Sequence, residues 1–324
     1  MNTNVPAAGC ASLCVLRAPY QSMRNREKSI STIRNALPVK SALKSVLLAP
    51  WKSVSSKMLL KRKTEKLKKI IRSMGSCLVA FSGGVDSTFL LKISKDCLGS
   101  KVLAVTADSF TYPEEELGSA KRIASGLRAR HMIIKTFELA RKDFFTNPVN
   151  RCYYCKKELF SRLKEIAKKE KINFVVDASN ASDKDDFRPG NLAKNELKIR
   201  SPLIEAGFTK NDIRSASRKL NLVTWDKPSL ACLASRIPYG QMISRQALRR
   251  INQAEGAIKR MGFRQVRVRH YDRLCRIEID KKELARAIKN RARIVEKLKK
   301  LGYNYVALDL EGYRLGSMNE GHLK

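Results

Sequence analysis

The sequence predicts an α/β protein in which a doubly wound, mainly parallel sheet is followed by a smaller α+β domain at the carboxyl terminus. Short uninterrupted apolar runs, typical of strands buried on both faces of a parallel sheet, alternate with helical patterns over short connections. Near the carboxyl terminus the strands instead alternate apolar and polar residues. A length of 324 residues also favours two domains.

The first domain is predicted over residues 58–240 and the second over residues 241–324. In the first, strands and helices alternate up to two polar or Pro-containing loops, Ala178–Gly190 and Trp225–Gly240. Its predicted strands are Cys77–Phe81, Lys101–Thr106, His131–Thr136 and Asn173–Asp177, and its predicted helices are Leu59–Ile71, Asp86–Leu98, Pro113–Leu127 and Cys155–Lys168. The second is predicted to contain helices Ser244–Met261 and Lys281–Leu301 and strands Gln265–Arg269, Cys275–Ile279 and Tyr305–Leu308.

The net charge of +36 indicates an anionic partner, which could be a small substrate, ATP or a nucleic acid. Lysines and arginines are spread over all of the predicted helices and aromatic residues are 7% of the chain, which favours solvated basic faces over a nucleic-acid surface. Eight irregularly spaced cysteines do not form a secreted disulfide pattern, so we expect a reducing cytoplasm. No apolar run approaches the ~18 residues of a membrane span.

Residues 1–57 form a basic leader with a different composition. From Met1 to Leu60 the chain has nine Lys or Arg and one acid, Glu27, among many Ser, Ala and Asn. This composition fits an organelle transit peptide, a disordered extension, or translation from an upstream start codon with Met58 as the working start. The last two together are the preferred interpretation.

A predicted phosphate-binding loop follows the first strand. Unpaired backbone N–H groups at a helix N-terminus bind anions, and Gly83 and Gly84 allow a phosphate to come close. Asp86 can hold a Mg²⁺ ion that bridges phosphate oxygens, and there is no Gly-Lys-Ser/Thr ending of a Walker loop. The motif resembles that of the PP-loop superfamily, which implies cleavage of ATP between its α and β phosphates. The residues of the motif are Ser82, Gly83, Gly84, Val85, Asp86, Ser87 and Thr88.

Three cysteines are candidates for sulfur or metal chemistry. Cys152 and Cys155 form a C-x-x-C at the start of a helix, and Cys232 lies in a later loop. Three thiolates leave one metal position open, which indicates an iron–sulfur cluster with an accessible iron or a catalytic dithiol; small core cysteines are the alternative. The helix N-terminus and nearby cations are expected to lower the thiol pKa values. Those cations are Arg151, Lys156, Lys157 and Arg236.

Together these segments resemble the LarE family, ATP-dependent sulfur transferases that build the nickel-pincer cofactor of lactate racemase. The resemblance implies that ATP adenylates a carboxylate of pyridinium-3,5-biscarboxylic acid mononucleotide and that a sulfur nucleophile then displaces AMP, leaving a thiocarboxylate. It extends over nearly everything after Met58. The segments that carry it are the phosphate loop, RCYYCKKELF (151–160), DASNASDKDDFRPG (177–190), DKPSLACLASRIPYG (226–240), RVRH (267–270) and LDLEGYRLGSMN (308–319).

The resemblance also implies roles for individual residues. Cys232 and Asp86 are the expected catalytic residues, and Cys152, Cys155 and Cys232 are expected to hold a [4Fe-4S] cluster whose open iron carries a sulfide. A second route has Cys232 surrender its own sulfur. Ala107 and Asp177 join the ATP site, beside Ser179, Asn180 and Asp183 at the end of a parallel strand. Arg188, Arg236, Arg267 and Arg269 are the candidate substrate-binding arginines, and Glu255 is a candidate metal ligand.

Two other functions remain open from the residues. One is a tRNA-thiolating PP-loop enzyme, which would use the same chemistry but needs an RNA surface. No zinc-ribbon ends or aromatic platform supports it. The other is a nucleic-acid-binding protein that retains an ATP fold. The expected partners are a small nucleotide substrate, further copies of the chain and a sulfur-donor protein, with no membrane and no nucleic acid.

Overall fold

The computed structural model describes residues 49–183, 189–228, 231–314 and 316–318, with side chains from Lys57 onward. The leader up to residue 48, with Cys10 and Cys14, lies outside the described residues, and so does Arg188. Contacts divide the chain into Met1–Lys57 and a compact unit, Met58–Lys324. The further division at residue 240 stays a prediction.

A wholly parallel sheet of four strands forms the centre of the fold, in the order β3-β2-β1-β4. Its position follows from the apolar runs, since Cys77, Leu78 and Val79 of β1 are completely buried. Because β2 and β4 lie on opposite sides of β1, the loop after β1 lies at the point where the strand order reverses, where α/β folds bind ligands. The doubly wound prediction is confirmed. The strands are β1 (Cys77–Ala80), β2 (Val102–Asp108), β3 (Arg130–Lys135) and β4 (Phe174–Val176).

Helices cover both faces of this sheet. Alternate β1 side chains point to opposite layers, with Val79 in one apolar cluster and Leu78 in the other. On the face of the sheet to which Leu78 points, the fifth helix contributes Phe160 and Leu163. The apolar layer on the opposite face, which contains Val79, is larger. The larger layer draws on α1 (Ala49–Met74), α2 (Val85–Leu98), α3 (Glu114–Gly126), α7 (Pro202–Glu205) and α8 (Lys210–Lys219), and the opposite layer on α5 (Arg151–Lys169).

Several helices differ from the sequence prediction. Helix α1 begins at Ala49, before the expected start at Leu59. Helices α4 (Lys142–Phe145), α6 (Gly190–Glu196), α7 and α8 were not predicted. For α8 a signal exists: the Thr209 hydroxyl accepts a hydrogen bond from the Asp212 N–H while the Asp212 carboxylate accepts one from the Thr209 N–H, a capping box readable as T-x-x-D.

A second sheet of three strands forms near the carboxyl terminus, in the order β5-β6-β7. Strands β5 and β6 pair antiparallel, whereas β7 pairs parallel with β6. On β5, His270 Nδ1 lies 3.0 Å from the Tyr303 hydroxyl, and burial together with Arg250 lowers the pKa of His270 while Asp272 acts in the opposite direction. The elements are α9 (Arg245–Arg260), β5 (Val266–Tyr271), β6 (Leu274–Ile279), α10 (Leu284–Lys289), α11 (Arg291–Lys300) and β7 (Tyr305–Leu308).

The prediction of one continuous helix over Lys281–Leu301 is wrong. A 3₁₀ turn over Lys281–Glu283 precedes α10, and the helix is interrupted at Asn290, which lies between α10 and α11. The Asn290 side chain donates to the carbonyl oxygen of Arg286 at 2.8 Å, which ends α10, and its own carbonyl accepts from Ile294 N–H at 3.1 Å, which starts α11. A side chain that competes for backbone bonds favours such a boundary.

Among the helices of the described residues, none combines the length and the apolar composition that crossing a bilayer requires.

Candidate active site

The phosphate loop, Ser82–Gly84, connects β1 to the N-terminus of α2. Gly83 has a φ of +69°, and a Cβ at this position would lie 3.1 Å from the Cα of Ala120, so both the backbone conformation and the close approach of α3 require glycine. Gly84 is extended and precedes the first residue of α2. The loop therefore presents the positive end of α2 to the carboxyl edge of the sheet.

Three hydroxyl groups surround this loop. Ser87 Oγ donates to the Gly84 carbonyl at 3.2 Å and lies 3.1 Å from Ser82 Oγ, so these two hydroxyls hold the loop in shape. Thr88 Oγ1 is buried and has no hydrogen-bond partner among the described residues. A buried polar atom without a partner indicates a place that a ligand can satisfy.

Asp86 lies in the first turn of α2 beside this loop. Its Oδ2 forms an ion pair with Lys210 Nζ, and its Oδ1 is buried without a partner among the described residues. Burial raises the pKa of the Asp86 carboxyl, with Lys210 acting in the opposite direction and Asp183 in the same one. The unpartnered Oδ1 is therefore an acceptor of the kind that a divalent cation binds.

The loop after β4 carries the other predicted nucleotide-binding residues. Asp177 is 4% exposed and accepts hydrogen bonds from the hydroxyls of Ser179 and Ser201. Lys194 Nζ lies 3.8 Å from its Oδ2, so this carboxylate is fully engaged within the protein. Ala107 is half-buried near the end of β2.

The β4 loop is joined to α8, which the sequence reading missed. Ala181 N–H donates to the Phe208 carbonyl at 2.7 Å, and Lys210 N–H donates to Ser182 Oγ at 3.1 Å. Asn180, 2% exposed, folds the loop by accepting from Ser182 N–H at 3.0 Å. These bonds fix the backbone from which Lys210 reaches Asp86.

Lys227 connects the phosphate loop to the segment that carries Cys232. Its Nζ donates to the Gly83 carbonyl at 3.2 Å, to Glu116 at 2.7 Å and to Ser119 Oγ at 3.4 Å. The same ammonium therefore holds the loop and the first half of α3.

The three candidate cysteines lie at the same end of the molecule. Cys152 and Cys155 are in the first turns of α5, as predicted, and Cys232 directly precedes a 3₁₀ turn at Leu233–Arg236. Cys155 and Cys232 pack against one apolar cluster that includes Phe144 and Leu233, whereas Cys152 is exposed. The charges of Cys232 and Cys152 both act on the Cys155 thiol, and the charge of Cys152 acts on Cys232, so the three are electrostatic neighbours.

The expectation that cationic neighbours lower the thiol pKa values is wrong for Cys155 and Cys232. Burial raises the pKa of the Cys155 thiol well above its usual value, and it also raises the pKa of Cys232 against the opposing effect of Arg151 and Arg236. Both side chains keep part of their surface exposed. Desolvation of a thiolate therefore outweighs the cations in this setting.

Two residues outside the sequence motifs, Glu138 and Tyr112, lie close enough to the thiols for their charges to interact. Glu138 is 3% exposed, accepts from Thr111 Oγ1 at 3.0 Å and from Ser109, and has a buried Oε2 without a partner among the described residues. Desolvation raises the pKa of Tyr112 well above its usual value, and the charges of Cys155 and Cys232 act in the same direction. This holds although Tyr112 is 37% exposed. Neither belongs to a sequence pattern that marks function.

Hydrogen bonds from the backbone and from the Asn147 side chain attach the Cys232 loop to the loops after β2 and β3. Leu233 N–H donates to the Thr111 carbonyl at 2.7 Å. Asn147, which is completely buried, donates from Nδ2 to the carbonyls of Pro238 at 2.6 Å and Gln241 at 3.0 Å. Its Oδ1 accepts from Arg151 at 2.8 Å, one residue before Cys152. The C-x-x-C turn and the Cys232 loop are therefore fixed to each other.

Arg236 and Glu255 form a buried ion pair behind Cys232. Arg236 Nε and Nη2 donate to the two Glu255 oxygens at 2.8 and 3.1 Å, and the arginine is 0% exposed. Its Nη1 donates to the carbonyls of Ala231 at 2.8 Å and Cys232 at 3.0 Å. Burial opposes ionisation of Glu255, but Arg236 holds the pKa of that carboxyl below its usual value. The predicted metal ligand Glu255 is thus paired with a cation.

The arginines of β5 are also buried. Arg269 pairs with both oxygens of Glu278 at 2.8 and 2.6 Å and donates to the Ser235 carbonyl at 3.0 Å. Arg267 is 3% exposed, donates to the Val266 carbonyl at 2.8 Å and stacks on the ring of Tyr313. Their roles as substrate-binding arginines stay predictions, and so does that of Arg188.

Within the described part of the chain, no three or more His, Cys, Asp or Glu side chains are grouped closely enough to hold a metal ion. The three thiols offer the donor chemistry of an iron–sulfur site, but the cluster stays a prediction.

Known proteins that resemble the chain share most of its length. It is 35% identical over 251 residues to the pyridinium-3,5-bisthiocarboxylic acid mononucleotide synthase of Lactiplantibacillus plantarum, covering 77% of this chain and 91% of that one. An uncharacterised Synechocystis protein is 39% identical over 81% of this chain and 98% of its own, and one from Methanocaldococcus jannaschii is 31% identical over 73% and 90%. No protein-family model matches.

Proposed function

Because the chain belongs to the LarE family, that of pyridinium-3,5-bisthiocarboxylic acid mononucleotide synthase, we propose that it is an ATP-dependent sulfur transferase. Its substrate is pyridinium-3,5-biscarboxylic acid mononucleotide, of which it converts a carboxylate to a thiocarboxylate. One observation carries the proposal. The phosphate loop and the three cysteines lie at the same carboxyl edge of the parallel sheet and are joined by Lys227 and by the Leu233–Thr111 bond.

The phosphate loop supplies the activating half of the reaction. A carboxylate becomes electrophilic when its oxygen is joined to AMP, which then leaves, and the positive end of α2 stabilises the charge on the phosphates during that step. Asp86 would hold the Mg²⁺ ion that accompanies ATP, since its Oδ1 is a buried acceptor without a partner among the described residues. Pyrophosphate and then AMP are the expected products.

The cysteines supply the sulfur half. Cys152, Cys155 and Cys232 would hold a [4Fe-4S] cluster, which requires the three thiols to approach more closely than they do here. When bound, such a cluster offers an open iron that can carry a sulfide. The second route uses Cys232 itself: its thiolate attacks the acyl adenylate, the Cβ–S bond then breaks with loss of the Cα proton, and dehydroalanine remains.

The buried arginines support this site from behind. Arg236 and Arg269 hold the carbonyls of Ala231, Cys232 and Ser235 while their remaining donors bind carboxylates of the protein. To bind the substrate directly, either would have to exchange Glu255 or Glu278 for a substrate carboxylate. We therefore propose that their first effect is to position Cys232.

The test is an anaerobic assay of the purified chain with ATP, Mg²⁺ and the pyridinium mononucleotide. Mass spectrometry follows the exchange of oxygen for sulfur in the product, and a coupled assay follows pyrophosphate. Cys232→Ser should abolish sulfur transfer, whereas Cys97→Ser, which changes another partly buried cysteine, should leave it intact. If no AMP or thiocarboxylate forms, or if Cys232→Ser behaves as wild type, the proposal fails.

The same experiment distinguishes the sulfur sources. A loss of the elements of hydrogen sulfide from the intact protein mass after a single turnover, absent in Cys232→Ser, identifies Cys232 as the donor. Stoichiometric iron and sulfide with an unchanged protein mass identify the cluster. Incubation with tRNA in place of the mononucleotide tests the tRNA-thiolating alternative.

A further inference from the structure

Lys210 lies beside the phosphate loop, in a region that the sequence motifs do not cover. Its Nζ is ion-paired with Asp86 Oδ2, and the two side chains are 27% and 22% exposed. About a quarter of each side chain is therefore accessible at the surface beside the phosphate loop. The loop itself contains no lysine, unlike a Walker loop.

The backbone that carries Lys210 is held from three directions. Lys210 is the first residue of α8 and lies between the two residues of the capping box, Thr209 and Asp212. Its N–H donates to Ser182 Oγ at 3.1 Å, and Lys63 of α1 binds the Asp212 carboxylate at 2.6 Å. The flexible part is therefore the lysine side chain alone, which can swing while its Cα stays in place.

The Lys210–Asp86 ion pair leaves two polar atoms beside the phosphate loop without partners among the described residues. Asp86 Oδ1 and Thr88 Oγ1 are buried without partners among the described residues, so the site offers one acceptor and one hydroxyl that Lys210 does not satisfy. A polyphosphate bound with a divalent cation would give each of these groups a partner. The Asp86 carboxylate would bind the cation, and the phosphate oxygens would accept from the Thr88 hydroxyl and from the released Lys210 ammonium.

We propose that Lys210 is a triphosphate-binding residue of this chain, and that its ion pair with Asp86 is exchanged for phosphate oxygens when ATP binds. The inference rests on the proposed function in that it needs ATP at the phosphate loop. It adds a residue from outside the motif, donated by α8, that recognises the phosphates rather than the nucleoside. The exchange also leaves Asp86 available to the cation.

The experiment measures binding without turnover, using α,β-methylene-ATP, which cannot be cleaved between its α and β phosphates, with Mg²⁺ and no pyridinium substrate. Lys210→Met should bind it about tenfold to one-hundredfold more weakly than wild type, as expected for a lost charge-assisted hydrogen bond. Lys92→Met is the matched control, because it removes a lysine–aspartate ion pair, that with Asp96, from α2, the helix that carries Asp86, and it should bind as wild type does.

Adenosine binding separates phosphate recognition from damage to the fold. If Lys210→Met weakens the nucleotide but binds adenosine as wild type does, phosphate recognition by Lys210 is supported, and partial recovery by Lys210→Arg supports it further. Equal nucleotide affinity of Lys210→Met and wild type overturns the inference while leaving ATP-dependent sulfur transfer untouched. Equal weakening of nucleotide and adenosine also overturns it. Conversely, a wild type that binds α,β-methylene-ATP but forms no thiocarboxylate refutes the proposed function alone.

Discussion

Replacing Arg236 with methionine should destabilise the folded chain by about 3–5 kcal/mol, because it leaves a buried carboxylate without its cation. The magnitude follows from burial: Arg236 and Glu255 are 0% and 1% exposed, and the guanidinium also holds the carbonyls of Ala231 and Cys232. Glu255 retains the Val268 N–H at 3.1 Å, which cannot compensate the charge.

The double variant Arg236→Met/Glu255→Gln separates charge from packing. It removes both charges and keeps an acceptor for Val268, so it should recover at least half of the loss. Urea unfolding measures the free energies, and Arg249→Met on the exposed side of α9 is the control, expected within about 0.5 kcal/mol of wild type. A loss below about 1 kcal/mol in Arg236→Met, or no recovery in the double variant, would refute the reasoning.

Three further perturbations test other parts of the structure. Gly83→Ala should lower the free energy of unfolding, measured thermally, by about 1–3 kcal/mol and should weaken ATP binding. Gly99→Ala should lose less stability, because Gly99 shares the positive φ but a Cβ there meets nothing within 4 Å. Equal losses in the two variants would contradict the close approach of α3. Burial lowers the pKa of His270 in the folded chain, so on acidification the unfolded chain takes up the proton first. The melting temperature should therefore fall as the pH drops below about 6.5, and His270→Asn should reduce the slope of melting temperature against pH. Parallel slopes for the variant and the wild type would refute this reasoning. Asn147→Gly can keep the φ of +58° but loses the side-chain bonds to the carbonyls of Pro238 and Gln241. It should lower the free energy of unfolding by about 1–3 kcal/mol and speed alkylation of Cys232. An unchanged alkylation rate would show that these bonds do not hold the loop.

The parallel sheet and the phosphate loop were predictable because their signals are local. Short apolar runs identify strands, and a Gly-rich turn between a strand and a helix identifies an anion site. The single helix predicted over Lys281–Leu301 failed for a local reason as well, since Asn290 competes for backbone bonds and an amphipathic pattern does not register that competition.

Long-range partners were not predictable in the same way. Arg236 and Glu255 are nineteen positions apart in the chain, and Arg236 was read as a substrate ligand because nothing in the sequence shows that its charge is already paired. Glu138 is one carboxylate in a polar stretch, and only folding reveals that it is buried near Cys155. Lys210 is different, because the start of its helix has a local signal, the T-x-x-D capping box of Thr209 and Asp212.

The strand order explains why one fold can contain both halves of the proposed reaction. The loops after β1 and β4 carry the phosphate loop and the partners of Lys210, whereas those after β2 and β3 carry Thr111 and Glu138, against which the Cys232 loop is fixed. In the proposed reaction, an adenylate formed at the loop after β1 would therefore lie beside the loop after β2, to which the Cys232 loop is bonded. The second sheet contributes through Arg269 of β5, which donates to the Ser235 carbonyl and so fixes the chain just after Cys232, whose side chain stays partly exposed.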